Sequence, residues 1–388
     1  MRRILWAAAG AFLLKVLLAL FTAGTNDALT WEHNLARLDN AGFAELYRAG
    51  AQYNSPSGKA YPAQAFIHPP AVLHLLRALG KMQQLSGLPV RFWLRTTCAL
   101  ADAVMLGLLL RARRASNRAF VLLALSPASI LISGFHGNTD PILVLFALAA
   151  VLLAERGRPL SAGIAFGIAC GIKLIPLLFA PSIFFHLRSP RRRSAWIVAS
   201  GATWFALSLP YIALEPALIL KTMLSYTSAT GVWGFSLLST LLGSGSLFHS
   251  LYEPAARWIA LLAAVAAPLL LRRRPSLFHE CGLVTFAFLF LSPGFGLQYL
   301  CWTIPWTLRL DFRWMATYHA VAGAFLLLVY TSASRSTRGY ADLLTRENLT
   351  LLILIGLICW IETGVLAWRW IRPGLCTAGA AQAAETPA

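Results

Sequence analysis

Acidic side chains are scarce in this sequence, and charged residues of either sign are few. Aspartate and glutamate together number 15 among 388 residues, and charged residues make up 12% of the chain. A soluble domain carries about a quarter charged residues, so too little polar surface exists here to cover a water-soluble globule. Hydrophobic residues make up 58% of the chain, and several apolar runs reach the ~17–25 residues that cross a bilayer. The sequence therefore predicts an all-α polytopic membrane protein.

Cysteine pairs with metal-binding or redox spacing are also missing. The six cysteines include no CxxC motif, so neither a disulfide framework nor a zinc site is indicated. Five of them lie inside or at the edge of apolar runs, and Cys376 lies near the C-terminus.

What the sequence has in excess is positive charge. The 33 lysines and arginines give a net charge of +18, which in a soluble protein would suggest a nucleic-acid partner. Here the arginines form short clusters between apolar runs, at 111–118, 188–193 and 272–274. Such clusters are typical of the cytoplasmic loops of membrane proteins, whose orientation they set. The basic balance therefore indicates membrane topology and no nucleic-acid function.

The apolar runs predict about 12 transmembrane helices (11 to 13). The first run, from Ile4 to Thr22, lacks a clear cleavage site and is interpreted as a retained first helix. A single transmembrane domain is predicted over residues 1–372. An Ala-rich cytoplasmic tail, predicted to be disordered, follows at 373–388.

Two long polar stretches interrupt the apolar runs. If the arginine clusters face the cytoplasm, residues 24–90 and residues 214–254 form outer loops. The first stretch alternates charged and apolar residues at helical spacing, which predicts amphipathic helices on the membrane surface.

Asp27 stands in the segment GTNDALTWEH, directly after the first apolar run. A lone carboxylate at the hydrocarbon edge is partly desolvated, which we expect to raise its pKa and its basicity. Such a group could remove the proton of an acceptor hydroxyl; the plainer alternative is an aspartate that ends a helix and faces water. Glu32 in the same segment and His68 in the same loop are secondary, acceptor-side candidates.

The segment SGFHGNTDP separates two apolar runs and predicts a tight outer turn, which its two glycines permit. It clusters His136, Asn138 and Asp140, whose side chains can bind hydroxyls or a phosphate. Asp140 or Thr139 is expected to cap the next helix, and His136 is the functional candidate. His136 and Asp140 could together bind a divalent metal ion, although their spacing is not specific for a metal site.

Two further polar positions lie at the outer ends of apolar runs. Lys173 precedes a helix-breaking proline and needs either a snorkelling route or an anion, such as a lipid-linked phosphate. Gln298 and Tyr299 combine polar donors with an aromatic ring, which suits contacts to a sugar or an isoprenyl phosphate. Trp302 and Trp306 are predicted to form an interfacial aromatic belt.

Two carboxylates fall within apolar runs. Asp102 is predicted to share a helix face with Arg95, so that an Arg95–Asp102 link neutralises both. This makes Asp102 structural rather than part of a proton path. Glu362 is less informative and is interpreted as facing a helix partner.

The order of these motifs resembles that of the GT-C superfamily of membrane glycosyltransferases. The segments HPPAVLH and FWLRTTCALAD look like consecutive motifs of the dolichyl-phosphate-glucose-dependent glucosyltransferases. Farther along, GFHGNTD, GIKLIPLLFAP and LQYLCWTIP are similar to motifs of bacterial polyprenol-phosphate-mannose transferases. The local match is strongest over residues 24–180.

The resemblance implies a GT-C-like bundle and an inverting transfer of a hexose, with mannose favoured. The donor would be a polyprenyl-phosphate sugar, and the acceptor a lipid, a glycan or a protein. Asp27 would be the general base, while His136, Lys173, Gln298 and Tyr299 would hold the donor phosphate or sugar. The site would face the periplasm or exterior from a bacterial cytoplasmic membrane. The sequence has no glycine-rich phosphate-cradling motif for a nucleotide sugar, which is consistent with a lipid-linked donor.

Other functions share several of these features. A transporter or flippase of lipid-linked sugars would need the cationic pocket but no base, and no inverted repeat is detectable. An O-antigen ligase or polymerase depends on outer-loop arginines, and residues 214–254 contain none. A catalytically inactive scaffold subunit is a third alternative.

Overall fold

The computed structural model describes residues 1–48, 52–54, 60–62, 66–112, 115–224, 229–270, 276–334 and 349–371. Its α-helices, in chain order, are α1 (Arg2–Phe21), α2 (Asn26–Tyr47), α3 (Ala71–Ser86), α4 (Val90–Ala112), α5 (Asn117–Ala124), α6 (Pro127–Leu131), α7 (Asp140–Glu155), α8 (Pro159–Ile172), α9 (Ala180–His186), α10 (Pro190–Ile212), α11 (Pro216–Leu224), α12 (Gly234–Leu242), α13 (Leu247–Leu270), α14 (Leu277–Leu291), α15 (Phe312–Ser334) and α16 (Leu349–Ile371). A π-helix and two 3-10 helices interrupt them at Ile132–His136, Ile175–Phe179 and Leu297–Arg309.

Strands in the described residues are limited to two short antiparallel pairs. Strand β1 (Gln52–Asn54) pairs with β2 (Ala60–Pro62), and Tyr53 lies opposite Tyr61. Strand β3 (Ala229–Thr230) pairs with β4 (Gly294–Phe295). The helical class predicted from composition is therefore confirmed.

Six helical segments in the described part of the chain are long and apolar enough to cross a membrane: Arg2–Phe21, Val90–Ala112, Asn117–His136, Pro190–Ile212, Phe312–Thr331 and Thr350–Ile371. Their length and composition agree with the apolar runs of the sequence, and the chain is a membrane protein. Shorter apolar helices occur at Pro159–Ile172, Ile175–His186, Pro254–Ala263 and Leu277–Leu291. A total of about 12 crossings would have to include such shorter helices, and it stays a prediction.

Two helices form in the first outer stretch, as the amphipathic pattern predicts. Helix α2 buries Trp31, Leu35 and Leu38 on one face and kinks at Gly42, where φ is 79°. Helix α3 is amphipathic and ends at Gly87 in the left-handed conformation that favours glycine. Their position on the membrane surface stays a prediction.

The second outer stretch is attached to the rest of the fold at several points. Glu215 accepts a hydrogen bond from Arg48 at 3.0 Å, which joins the two stretches. Strand β3 pairs with β4, just before the 3-10 helix that contains Tyr299. Trp233 stacks on Phe295 with ring centroids 3.9 Å apart. These contacts connect the second stretch to the segment that precedes Tyr299.

The third apolar run is not one regular helix. Pro127 begins α6 after a break at the end of α5, and α6 continues into the π-helix Ile132–His136. Such π-helical turns are frequently found at functional sites. The next helix, α7, begins at Asp140, and neither Asp140 nor Thr139 provides a side-chain cap. The capping prediction is therefore wrong, because the Asp140 carboxylate binds side chains elsewhere.

The predicted Arg95–Asp102 link is also wrong. Asp102 instead accepts a hydrogen bond from Lys15 of α1 at 2.6 Å. The hydroxyls of Ser129 and Ser133 donate to the same carboxylate oxygen at 2.7 and 2.6 Å. This buried cluster ties α1 to α4 and to the third run, because a buried charge requires close partners.

Several predictions fall outside the described residues. They concern the tail 373–388, the cluster 272–274, nearly all of a third predicted outer loop at 331–347, and Tyr226, an aromatic residue of the second outer stretch that fits either sugar stacking or interface anchoring. In α16, both carboxylate oxygens of Glu362 are buried without a hydrogen-bond partner among the described residues.

Candidate active site

Asp27 lies in the first turn of α2 and faces the turn that follows the π-helix. Its Oδ2 accepts a hydrogen bond from Asn138 Nδ2 at 2.7 Å and lies 3.1 Å from His136 Nε2. The side chain of His136 is 2% exposed, whereas that of Asp27 is 36% exposed. The carboxylate is therefore held from one side and accessible from another.

Two glycines allow these turns to approach each other. Gly24 and Gly137 both have a φ of 81°, in the left-handed region. A Cβ at Gly24 would lie 2.8 Å from the carbonyl oxygen of Phe135, and one at Gly137 would lie 2.9 Å from a side-chain carbon of α2. In addition, the Thr25 hydroxyl donates to the backbone carbonyl of His136 at 2.8 Å. The start of α2 is thereby packed directly on the π-helical turn.

The neighbours of Asp27 decide its charge state. Burial raises the pKa of this carboxyl, but the charge and hydrogen bond of His136, the hydrogen bond of Asn138 and the charge of Lys173 outweigh it. The resulting pKa is lowered to about 2. The predicted rise in the pKa of Asp27 is therefore wrong, because the sequence does not show which donors surround the carboxylate. Asp27 is ionised at neutral pH and ready to accept a hydrogen bond.

Lys173 lies where α8 stops, in an extended conformation with φ −151° and ψ 156°. Its Nζ donates to Asp140 Oδ2 at 2.6 Å, and Trp302 Nε1 donates to Asp140 Oδ1 at 2.7 Å. Asp140 is fully buried and the Lys173 side chain is 16% exposed. Asp140 therefore fixes the lysine at the break of the helix instead of capping α7.

Tyr299 and Trp302 lie on the 3-10 helix Leu297–Arg309, next to this ion pair. Lys173 Nζ is 6.0 Å from the centroid of the Tyr299 ring. The rings of Tyr299 and Trp302 stack at 4.0 Å with an interplanar angle of 21°. Trp302 is 7% exposed and Trp306 2% exposed, so the prediction of an aromatic belt is wrong for both. A buried indole N–H usually finds a partner, and Trp302 finds it in Asp140.

His68 lies in the loop before α3, between aromatic rings. Its ring centroid is 4.9 Å from that of Trp31 and 5.2 Å from that of Phe66. Burial lowers the pKa of His68, and the charge of Lys173 lowers it further, to about 3; Asp27 and a hydrogen bond with the backbone of Ile172 act in the opposite direction. His68 is therefore neutral and close to both groups.

The remaining predicted residues lie at the margin. Both oxygens of Glu32 accept hydrogen bonds from Arg91 Nη1, at 2.9 and 2.8 Å. The amide of Gln298 lies against its own loop, 2.8 to 2.9 Å from where a Cβ of Gly296 would be. Among the described residues, no three or more His, Cys, Asp or Glu side chains are grouped to hold a metal ion.

An apolar crevice, partly open to its surroundings, adjoins Trp302. It lies between α7, the 3-10 helix Ile175–Phe179, α14 and the 3-10 helix of Tyr299. Its lining residues are Leu143, Val144, Ala147, Ile175, Pro176, Leu178, Phe179, Thr285, Phe288, Trp302 and Trp306.

The described structure has apolar helices long enough to cross a membrane, and charged side chains gather where helices break. These features define a helical membrane protein with a partly enclosed polar site. The sequence profile of glycosyltransferase family 87 matches residues 66–293, more than half of the chain. The chain therefore belongs to glycosyltransferase family 87, a GT-C-type family of membrane glycosyltransferases, as its motifs predict. Comparison with curated proteins and with solved structures finds no match.

The family assigns a reaction class and leaves its details open. This chain is a membrane glycosyltransferase, which implies a sugar donor and an acceptor. The matched region includes His136, Asn138 and Lys173, whereas Asp27 precedes it and Tyr299 follows it.

Proposed function

We propose that the protein transfers a hexose, with inversion, from a polyprenyl-phosphate-linked donor to a lipid, glycan or protein acceptor. Mannose is favoured by the motif resemblance. The proposal depends mainly on one observation: the ionised, partly exposed Asp27 carboxylate lies near Lys173, which affects its pKa. A displacement at the anomeric carbon needs a proton acceptor on the incoming side and a cation for the departing phosphate.

In this reaction the acceptor hydroxyl oxygen forms a bond to the anomeric carbon while the bond from that carbon to the phosphate oxygen breaks. Polyprenyl phosphate leaves with the bonding electron pair, and the hydroxyl proton moves to Asp27. Because the pKa of Asp27 is only about 2, this transfer is completed late. By then the hydroxyl is strongly acidified by its new bond to carbon.

His136 has a different proposed role from the one implied by the resemblance. Its side chain is nearly fully buried and its Nε2 lies 3.1 Å from the Asp27 carboxylate. We therefore assign it, together with Asn138, to orienting the base rather than to binding the donor sugar.

Lys173 is the proposed cation for the donor phosphate, with Asp140 and Trp302 holding it in place. The donor phosphate is a singly charged diester that gains a second negative charge as the bond to the anomeric carbon breaks, so charge-assisted hydrogen bonds from the ammonium would strengthen toward the transition state. The Tyr299 ring is proposed to contact the sugar or the first isoprenyl unit. The apolar crevice beside Trp302 suits an isoprenoid chain.

Glu32, His68 and Gln298 are proposed acceptor-side or secondary contacts. The arginine clusters favour a site on the extracytoplasmic face. A bacterial cytoplasmic membrane and a single domain over residues 1–372 belong to the same proposal.

The test is a donor panel on the full-length protein in lipid nanodiscs. Polyprenyl-phosphate mannose, glucose and galactose are compared with the corresponding nucleotide sugars, with and without a chelator, in the presence of membrane lipid and glycan acceptors. We expect release of polyprenyl phosphate and a glycosylated product with one lipid-linked sugar. Transfer from nucleotide sugars alone would overturn the proposed donor, and no transfer from any donor would overturn the proposed function.

A further inference from the structure

We propose that Arg95 is the positioning residue of the site, holding the end of α1, from which the chain turns to Asp27, against the π-helical turn that carries His136. The inference deepens the proposed function and rests on the role assigned there to Asp27. It concerns a residue that touches neither proposed substrate.

Arg95 is fully buried in α4, and its donors are all engaged. Its Nε donates to the carbonyl of Arg91 at 3.0 Å. Its Nη1 donates to Thr22 Oγ1 at 3.0 Å and to the carbonyl of Phe135 at 3.4 Å. Its Nη2 donates to the carbonyls of Ala19 and Thr22, both at 2.8 Å. A guanidinium has five N–H donors, and these bonds account for every one of them.

These acceptors lie at the ends of two helical segments. The carbonyls of Ala19 and Thr22 are among the C-terminal carbonyls of α1, which lack helical partners and carry partial negative charge. The carbonyl of Phe135 lies in the last turn of the π-helix. Asp27 follows the first end after a short turn, and His136 directly follows Phe135. One guanidinium therefore bonds both segments, in addition to the Thr25 hydrogen bond and the glycine contacts that join them.

Arginine is required here for geometric reasons. Its planar fork can bond acceptors on α1 and on the π-helix at the same time, whereas a lysine ammonium has three donors at one point. A Cβ atom added at Gly24 would lie only 3.1 Å from Arg95 Nη1. The site is therefore closely packed around the guanidinium plane.

If the guanidinium is removed, the π-helical turn loses its bond to the end of α1, and we expect it to move away from Asp27. The titratable groups that act on Asp27 are His136 on that turn, Lys173 at the end of α8 and His68 in the loop before α3. Burial raises the pKa of Asp27, and His136 is the largest influence that lowers it. A retreat of His136 should therefore raise the pKa of Asp27.

The experiment uses two variants that weaken the connection and two matched controls. Arg95→Lys keeps the charge but loses the fork, and Thr22→Val removes one acceptor while keeping the shape. Arg193→Lys is the control for the first, because Arg193 donates to the carbonyls of Phe184 and Leu187 near the end of α9. Thr97→Val is the control for the second, because the Thr97 hydroxyl donates only within α4, to Trp93.

The primary measurement is carbodiimide labelling of Asp27 in the full-length protein in nanodiscs, followed by mass spectrometry. Carbodiimide reacts with the protonated carboxyl, so labelling near pH 5 rises about tenfold for each unit by which the pKa rises. We expect an increase of about tenfold in Arg95→Lys and a smaller one in Thr22→Val. We expect no change in the controls. In the transfer assay, the acid limb of the pH–rate profile should shift to higher pH. The value of kcat should fall with little change in KM.

A folded Arg95→Lys protein with wild-type labelling would overturn the inference. If Arg95→Lys does not fold, Thr22→Val decides, and unchanged labelling there overturns it equally. Labelling does not depend on sugar transfer, so the two proposals can fail separately. Shifted labelling without transfer from any donor would overturn the proposed function alone.

Discussion

At the scale of single residues, the chemistry depends on how neighbours balance burial. Asp27 is partly buried, which by itself would raise its pKa, yet His136, Asn138 and Lys173 lower it to about 2. A carboxylate in that state is always ionised under working conditions. It orients the acceptor hydroxyl first and takes the proton late.

Asp27→Asn tests the base directly. The amide keeps the size of the side chain but cannot take the proton, so we expect kcat to fall by about 10²–10⁴-fold. Thermal unfolding in detergent should change little, because the side chain is partly exposed. Asp39→Asn is the control, since Asp39 is an exposed carboxylate on the same helix. Turnover of Asp27→Asn within a few-fold of the wild type would remove Asp27 from the reaction.

His136→Gln tests the origin of the low pKa. The imidazole is the largest influence that lowers the pKa of Asp27 against the effect of burial. Removing it should therefore raise that pKa. Catalysis needs ionised Asp27, and activity is therefore lost as the pH falls through that pKa. The acid limb of kcat/KM should lie far below neutrality in the wild type and at higher pH in the variant. An unmoved acid limb would mean that His136 does not control the carboxylate.

At the residue level, the sequence draws attention to side chains that are unusual in apolar surroundings. Asp27, Lys173 and Tyr299 were selected in this way, and the structure shows Lys173 close to the other two. Trp302 was assigned to the membrane interface and instead binds Asp140. A tryptophan in an apolar run has the same appearance in both situations, because only packing decides whether its N–H faces a carboxylate.

At the scale of elements, the site is made from places where helices stop or change type. The π-helix ends at His136, α8 ends before Lys173, and α2 begins next to Asp27. Broken helices are tolerated at membrane depth where they line protein or a cavity. The sequence indicated the break at Lys173 through Pro176 and the turn after the third run through its glycines, whereas the break at Pro127 and the π-helical geometry were not predicted.

The ion pair between Lys173 and Asp140 connects α8 to α7, and a double-variant cycle measures it. Lys173→Met leaves a fully buried carboxylate held only by Trp302, which should cost about 3–5 kcal/mol of stability. Lys173→Met combined with Asp140→Asn removes the stranded charge and should recover most of this loss. Unfolding in detergent gives the stabilities, and both proteins should be inactive in transfer.

Lys221→Met is the matched control, because Lys221 is an exposed lysine of α11. A double variant as unstable as Lys173→Met would show that the loss does not come from the stranded carboxylate. Transfer by the double variant at the wild-type rate would exclude Lys173 as the phosphate cation.

At the scale of the whole molecule, the site gathers segments from far apart in the chain. Asp27 comes from the start of α2, Lys173 from the middle, and Tyr299 from the 3-10 helix after α14. The family match covers residues 66–293, so the proposed base and the aromatic contact come from the flanking parts. Packing of α1 against α4 and the π-helix brings the N-terminal part to the site.

Orientation can be measured by labelling single cysteines with a membrane-impermeant maleimide in a Cys376→Ser background. Cys98, Cys170, Cys281, Cys301 and Cys359 are buried and should react slowly. Asp39→Cys should be labelled from outside intact cells, because α2 belongs to the predicted outer face. Ser194→Cys, beside the arginine cluster, should be labelled only after permeabilisation. The reverse pattern would place the site in the cytoplasm.

The sequence by itself determined the helical membrane class, the reaction family and the segments that contribute polar groups. It did so because hydrophobic runs, arginine clusters and the order of motifs are local properties of the chain. Only the tertiary structure decided the partners: Lys15 rather than Arg95 for Asp102, and His136 with Asn138 for Asp27. These partners are 87 and about 110 positions apart in the chain. Several side chains could form such contacts, and the packing of the helices selects the ones that do.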